Sequence, residues 1–263
     1  MENMQFRKNV KLAEYTTFKI GGPAKYFCVA KNKKDLMEAV FFAKKIKLPF
    51  FILGNGSNLL VSDRGYEGLV IKTGKPLSLY ISKGLEWAAG IPGTIEGAVR
   101  GNAGAFGGEM KDSVKEVEVF DAKSQKIKIF QNKDCQFSYR SSIFKKNPNL
   151  IILSVKIKSK KSDPQKIKEY LEYRNTHHPK HPSAGSIFKN PEKIRARDLI
   201  EEAGLKGRTI GGAQISEQHA NFIINLGGAK AKDVLELIDL AKKEVKNKFG
   251  IEIEEEIKIL GKF

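Results

Sequence analysis

The chain has 263 residues, 41% of them apolar, and 47 Lys and Arg stand against 30 Asp and Glu for a formal charge of +17. No apolar run approaches the roughly 18 to 20 residues that cross a bilayer, the opening MENMQFRKNVKLAEY lacks the apolar centre of a secretory signal, and the two cysteines, Cys28 and Cys135, are too few for a disulfide scaffold or a zinc site. A cytoplasmic protein of one large or two to three small cored units is expected, without membrane insertion, and its positive charge suits anionic ligands.

Apolar residues at Leu36, Ala39, Val40, Ala43 and Ile46 predict a helix over residues 35–47, stopped by Pro49. PFFILGNGSNLLV reads as a buried strand, a glycine-rich turn and a second short strand. VKEVEVFD, KIKIF and LIILSVKIK alternate at period two, as half-buried antiparallel strands should. Asp163 and Pro164 then cap and start a helix with Ile167, Tyr170, Leu171 and Arg174 on one face. NTHHPKHPSAG marks a junction. Beyond it come a short helix around ARDLIEEAG, a turn at TIGGAQIS, a strand at NFIINLGG, a helix from Ala231 to Phe249 capped by Gly250, and a closing strand, IEIEEEIKIL.

Three glycine-rich turns, at Leu53 to Leu60, Ala89 to Val99 and Gly101 to Gly108, are candidates for close backbone approach to phosphate, with Ser57, Asn58 and Asn102 as added donors. None is followed by the Gly-Lys-Ser/Thr of a Walker loop, and none is a GxGxxG between strand and helix. Basic and aromatic residues do not interleave as on single-strand platforms, so nucleic acid ranks last among partners. His177, His178 and His181 match no structural zinc spacing, and no metal is expected.

TTFKIGGPA, ILGNGSNLLV, GLEWAAGIPGTIEGAV, GNAGAFG, YRSSIFK, AGSIFKNP, LIEEAGLKG, GGAQISEQHANFIIN and EEEIKILG occur in this order from about Thr16 to Gly261. Together they resemble the UDP-N-acetylenolpyruvoylglucosamine reductases, in the compact second type that lacks an extra tyrosine-bearing loop. The resemblance implies an α+β fold, with a two-part FAD-binding domain of the vanillyl-alcohol-oxidase (PCMH) type and a separate α+β substrate-binding domain. The expected segments are 1–72 and 73–175 for the two flavin subdomains, 176–250 for the substrate domain and 251–263 for a strand carrying a catalytic glutamate. It also implies noncovalent FAD, NADPH as co-substrate, a UDP-sugar enolpyruvate substrate, a role in peptidoglycan synthesis, and a monomer. A flavin- or nucleotide-binding module of the same fold that has lost catalysis is the alternative.

The family's reaction adds hydride to the methylene carbon of an enolpyruvyl ether and a proton to its neighbour, so it needs a group to stabilise an enolate-like carboxylate and a fixed proton source. By the resemblance, Arg140 is the arginine that steadies the carboxylate, Ser186 the proton donor and Glu256 the catalytic glutamate. Cofactor contacts fall on Gly54, Asn55, Gly56, Ser57, Asn58, Ile91, Pro92, Gly93, Thr94, Asn102, Ala103 and Gly104. Substrate contacts fall on Tyr139, Lys189, Asn190, Gln214, His219 and Asn221. Strand alternation alone points instead to Glu255, which interrupts the face of Ile251, Ile253, Ile257 and Ile259. Two departures stand out: a shortage of roughly thirty residues between Val70 and Gly84, and Glu96 where glycine is usual, unfavourable if that position requires positive φ.

Overall fold

The structure, a computed structural model, describes residues 4–263. Two units emerge, each discontinuous in sequence: the first comprises residues 28–55 and 70–174 with the N-terminal residues up to Phe6, and the second comprises 7–27, 56–69 and 175–263.

In the first unit, the Asn32 side chain accepts the Asp35 amide at 2.9 Å and starts the helix Lys33–Lys45. Its buried stripe is Leu36, Ala39, Val40 and Ala43, four of the five residues that the 3.6-residue period predicts; Ile46, expected on the same face, lies just past the helix end and is exposed. The strand Phe50–Leu53 follows it. A three-stranded antiparallel sheet has Val114–Asp121 at its centre, flanked by Leu150–Ile157 and Lys126–Gln131. The central strand buries Val117, Val119 and Phe120, and the first two join a core with Trp87, Ile95, Met110 and Phe144. Lys126–Gln131 is not half-buried as expected. It is an edge strand, paired on one side only within its sheet, with Ile127 and Ile129 more than half exposed. Asp163 takes the amide of Gln165 at 2.9 Å and caps the helix Pro164–His177. The stretch after Lys72, which the resemblance expects to be short, contains a 3-10 turn, Leu77–Lys83, closed by left-handed Gly84.

In the second unit, Arg7–Lys11 pairs antiparallel with Pro23–Val29 from Arg7↔Phe27 to Lys11↔Pro23. A four-stranded antiparallel sheet runs in the order Ser183–Ser186, Phe222–Asn225, Ala213–Ile215, Thr209–Ile210. The helix Ala231–Phe249 buries Val234, Leu237, Ile238, Ala241 and Val245 in a core shared with Ile200, Ile215 and Ile223. Each buried Leu, Ile or Val of that stripe is worth about 1.5–3 kcal/mol. Asp63 accepts the Ala231 amide at 2.9 Å and the Lys232 amide at 3.2 Å at the helix start, and Gly250 ends it at φ 70°.

The tail corrects the expectation of one continuous strand over IEIEEEIKIL. Only Lys258–Leu260 forms a ladder, parallel to Leu59–Val61. Residues 254–256 are drawn out of it because their main chain pairs with the segment after Ser186, through the bridge Phe188↔Glu255.

Candidate functional site

The opening residues of the first glycine-rich turn, 53–55, lie beside the second turn in the first unit. A Cβ on Gly54 would sit 2.8 Å from Thr94 Oγ1, so only glycine allows this approach, and Asn55 Nδ2 reaches Gly93 O at 3.4 Å. Thr94 is itself committed: its hydroxyl accepts the Gly97 amide at 3.1 Å and caps the helix Ile95–Gly101. Ile91 and Pro92 lead into this cap, and the helix carries the chain to the third turn, about 10 Å on at 1.5 Å per residue. Glu96 does not lie at positive φ; it is the second residue of that helix, where an acidic side chain is favoured, and its carboxylate accepts the Lys75 amide at 2.9 Å. Burial raises its carboxyl above the usual range, against the downward pull of backbone amides and Lys75.

The third turn is built by Asn102, which is fully buried at φ 44°. Its Nδ2 donates to Glu109 Oε2 at 3.1 Å and Ser138 O at 3.0 Å, and its Oδ1 accepts the Lys111 amide at 3.0 Å. The carboxamide thus organises the fold, and Ala103 and Gly104 carry the turn's backbone onward. Arg140, at φ 51° in a turn closed by reciprocal 3.0 Å bonds between Ser138 and Ser141, donates from Nη2 to Gly104 O at 3.0 Å. Its guanidinium lies 5.3 Å from the centre of the exposed Tyr139 ring. The candidate arginine and the third turn are therefore joined directly.

Arg174, read from the sequence only as part of a helical face, is a positioning residue. Its Nε donates to Ala89 O at 2.7 Å and its Nη2 to Trp87 O at 3.2 Å, while the guanidinium stands 5.0 Å from the Phe106 ring. Phe106, at the tip of the hairpin after Gly104, also stacks on Tyr170 at 4.1 Å. One side chain thus braces the segment entering the second turn and the hairpin leaving the third. The signal was present in sequence as the last residue of the helix's apolar face, but its partners lie 85 and 87 positions away.

In the second unit, Ser186 ends the strand Ser183–Ser186, opposite Phe222, and follows left-handed Gly185. The strand is held at its start by Thr17 Oγ1 donating to Ser183 O at 2.7 Å, while Asn225 Nδ2 donates to Phe18 O at 3.1 Å, which explains the part played by TTFKIGG. Gly56 lies at φ 62° against the main chain of Tyr15 and Thr16, and a Cβ on Gly185 would stand 4.0 Å from Ser57 O. Asn58 secures the tail: its Nδ2 donates to Glu256 O at 3.2 Å and its carbonyl accepts the Lys258 amide at 3.0 Å.

The structure brings the tail to the residues that follow Ser186. The Glu256 amide donates to Ile187 O at 2.7 Å and the Lys189 amide to Glu254 O at 2.8 Å. Glu255 is half-buried but ion-paired with Lys242 at 2.9 Å, so the carboxylate that strand alternation singles out already has its counter-charge. Lys189 Nζ pairs with Glu254 at 2.7 Å and holds that carboxyl below its ordinary range. Asn190 Oδ1 accepts the Ala196 amide at 3.1 Å at the start of the helix Ala196–Glu202, and Gln214 Nε2 reaches Gly207 O and Thr209 Oγ1 within its own hairpin.

His219 packs edge-on to His178 and Phe222, and its Nδ1 accepts the Asn221 amide at 3.3 Å. Burial first, then the charges of His178 and Arg197, push its pKa down to about 4. Asn221 is buried, and its carboxamide is engaged with Phe188, accepting its amide and donating to its carbonyl, each at 2.9 Å.

A sequence model of the C-terminal domain of UDP-N-acetylenolpyruvoylglucosamine reductase matches residues 177–260. The reductase of that name from Caldanaerobacter subterraneus is 43% identical, over 96% of this chain and 93% of its own length. That of Caldicellulosiruptor bescii is also 43% identical, over 99% and 92%. The crystal structure of the Thermus caldophilus enzyme of that name is 35% identical and superposes with a TM-score of 0.84, covering 98% of this chain and all of its own. Such identity along nearly the whole of both sequences, with the same α+β fold, establishes that the chain belongs to the UDP-N-acetylenolpyruvoylglucosamine reductase family.

Proposed function

We propose that the protein reduces UDP-N-acetylglucosamine enolpyruvate to UDP-N-acetylmuramate, the reaction after which its relatives' family is named, with noncovalent FAD as cofactor and NADPH as the source of electrons. The observation that carries this reading is the 2.7 Å bond from the Glu256 amide to Ile187 O, which sets a carboxylate-bearing residue beside the segment that begins with Ser186. FAD fits the first unit on chemical grounds: Gly54 has no side chain where the first two turns meet, and the Asn55 carboxamide reaches Gly93 O in the same place. Gly54, Asn55, Ile91 to Thr94, Ala103 and Gly104 would hold it in that unit. Bound there, FAD would supply the hydride chemistry, relaying two electrons from NADPH to the methylene carbon of the enolpyruvyl group.

The protein's own groups then have two tasks. Arg140 presents a planar guanidinium suited to a carboxylate, and charge-assisted bonds of this kind strengthen as negative charge builds on the carboxylate. Ser186 supplies the proton to the neighbouring carbon, completing the addition of one hydride and one proton across the double bond. A hydroxyl is a weak acid, so Glu256 is assigned to orient it or a relay water, and Lys189 and Asn190 to the substrate's anionic and polar groups. NADPH, FAD and the UDP-sugar are all anionic, and the charge of +17 favours their capture.

The test is spectroscopic. Purified protein should carry flavin absorbance that bleaches with NADPH under argon and returns on adding the enolpyruvyl UDP-sugar. Absorbance that bleaches but fails to return would favour the flavin-binding module without catalysis, for which the short 3-10 turn at Leu77–Lys83 is the structural motive. Protein that binds no flavin at all would refute both.

A further inference from the structure

We propose that Asn221 is a positioning residue for proton delivery, fixing Ser186 by acting as a substitute peptide unit for Phe188; this rests on the assignment of Ser186 as proton donor. Ser186 is the last residue of its strand to find a partner, at Phe222, and the chain then runs past the end of the strand Phe222–Asn225. Phe188 is 2% exposed and Asn221 4% exposed. A main-chain amide and carbonyl buried there need partners, and on the edge facing away from Glu255 the strand pairing ends at Ser186↔Phe222. The Asn221 carboxamide supplies both, its Oδ1 accepting the Phe188 amide and its Nδ2 donating to the Phe188 carbonyl, each at 2.9 Å.

Its own main chain continues the pattern, since the Asn221 carbonyl accepts the Ile187 amide at 2.8 Å. Opposite that edge, the tail takes Ile187 O through the Glu256 amide and offers Glu254 O to the Lys189 amide. Residues 187–189 are therefore bonded along both edges, and Ser186 is one residue from the first of those bonds. A carboxamide of this length meets a peptide group with one donor and one acceptor. An aspartate would turn an acceptor toward the Phe188 carbonyl, and a serine would reach neither group at this distance. The buried carboxamide, with both heteroatoms engaged by Phe188, acts on the chemistry through Ser186 and not by touching the substrate.

The test uses the full chain with flavin bound, in stopped flow. Asn221→Asp and Asn221→Ser are each compared with wild type, Ser186→Ala and the double variants. Flavin reduction by NADPH should stay within about twofold, while reoxidation by the enolpyruvyl UDP-sugar slows by about tenfold to a hundredfold, the scale of a small misplacement of a reacting group. The solvent isotope effect on reoxidation should rise with little change in substrate KM. On the Ser186→Ala background, either Asn221 change should slow reoxidation no further. Additive slowing in the double variants, equal slowing of both half-reactions, or wild-type reoxidation in the single Asn221 variants would each overturn the proposal. Should Ser186→Ala itself reoxidise normally, the assignment of Ser186 fails, and the proposal fails with it by a visibly different route.

Discussion

Glu256 donates its amide to the carbonyl of Ile187 across 2.7 Å, whereas the neighbouring carboxylate, Glu255, is tied to Lys242 at 2.9 Å. The two glutamates therefore have opposite employment, one beside the serine segment and one in an ion pair with the long helix. Glu256→Gln should slow reoxidation of the flavin by substrate by about a hundredfold or more, the usual scale for loss of acid–base assistance. Glu255→Gln removes a partly exposed pair worth about 0–1 kcal/mol and should leave turnover within about threefold. Steady-state rates of the two variants decide the matter, and the reverse ranking would move the catalytic assignment to Glu255.

Arg174 joins Trp87 O and Ala89 O to the ring of Phe106, so it braces two loops assigned to the cofactor without being assigned a contact to it. Hydrogen bonds from a charged donor are worth about 1.5–3 kcal/mol. Arg174→Ala should raise the dissociation constant for FAD by about tenfold to a hundredfold, since 1.4 kcal/mol is a factor of ten. Arg174→Lys should recover only part of the loss, because an ammonium cannot reproduce the two-pronged guanidinium. Fluorescence titration of flavin-free protein measures this, and unchanged affinity in Arg174→Ala would show that the loops hold their shape without the brace.

Elements whose information is local could be read from the chain alone. The helix Ala231–Phe249 has its start, apolar stripe and glycine stop all within twenty or so residues, and it was legible at both ends. The tail was not. Alternating isoleucines predict a strand, but residues 254–256 give their main chain to residues 187–189, a partner nearly seventy positions away that periodicity does not see. Separation along the chain also hid the partners of Arg174, 85 and 87 positions away, and of the Asn221 carboxamide, 33 away at Phe188. Motif order named the segments around Ser186 and Glu256, but a buried carboxamide used as a peptide surrogate leaves no spacing signature. Asn102 likewise read as a donor to phosphate, yet its carboxamide is occupied by Glu109, Ser138 and Lys111.

His219 gives the second unit a pH dependence with a definite sign. Its pKa is pushed down to about 4 by burial and by His178 and Arg197, against the opposing pull of Asp198 and a backbone hydrogen bond, while the unfolded chain titrates near 6.5. Between these values the unfolded state binds the extra proton, so the contribution is complete above pH 6.5, is lost as pH falls toward 4, and levels off below it. The slope from this one group is at most about 1.4 kcal/mol per pH unit and is smaller for a half-buried ring. Guanidinium denaturation at several pH values should show wild type losing more stability between pH 7 and 4.5 than His219→Gln. Equal losses would assign the acid sensitivity to other groups.

Cys28 and Cys135 are 1% and 0% exposed, and burial first, then the charges of Asp35 and Asp134 respectively, push both thiols up to about 12. The thiolate is the reactive form, and at pH 8 a thiol titrating four units higher is ionised to only about one part in ten thousand. Both side chains also sit in closed packing, so a disulfide reagent meets neither the surface nor the charge it needs. In the native protein, Ellman's reagent should therefore release well under one thiol equivalent over an hour, whereas in denaturant it should count both cysteines. Flavin loss should not change the native count, because Cys28 and Cys135 are buried by protein groups: Cys28 is a buried residue of the strand Pro23–Val29, and Cys135 sits in the core with Val114 and Phe144. Rapid labelling of either thiol in the folded protein would mean that the unit opens far more readily than its packing implies.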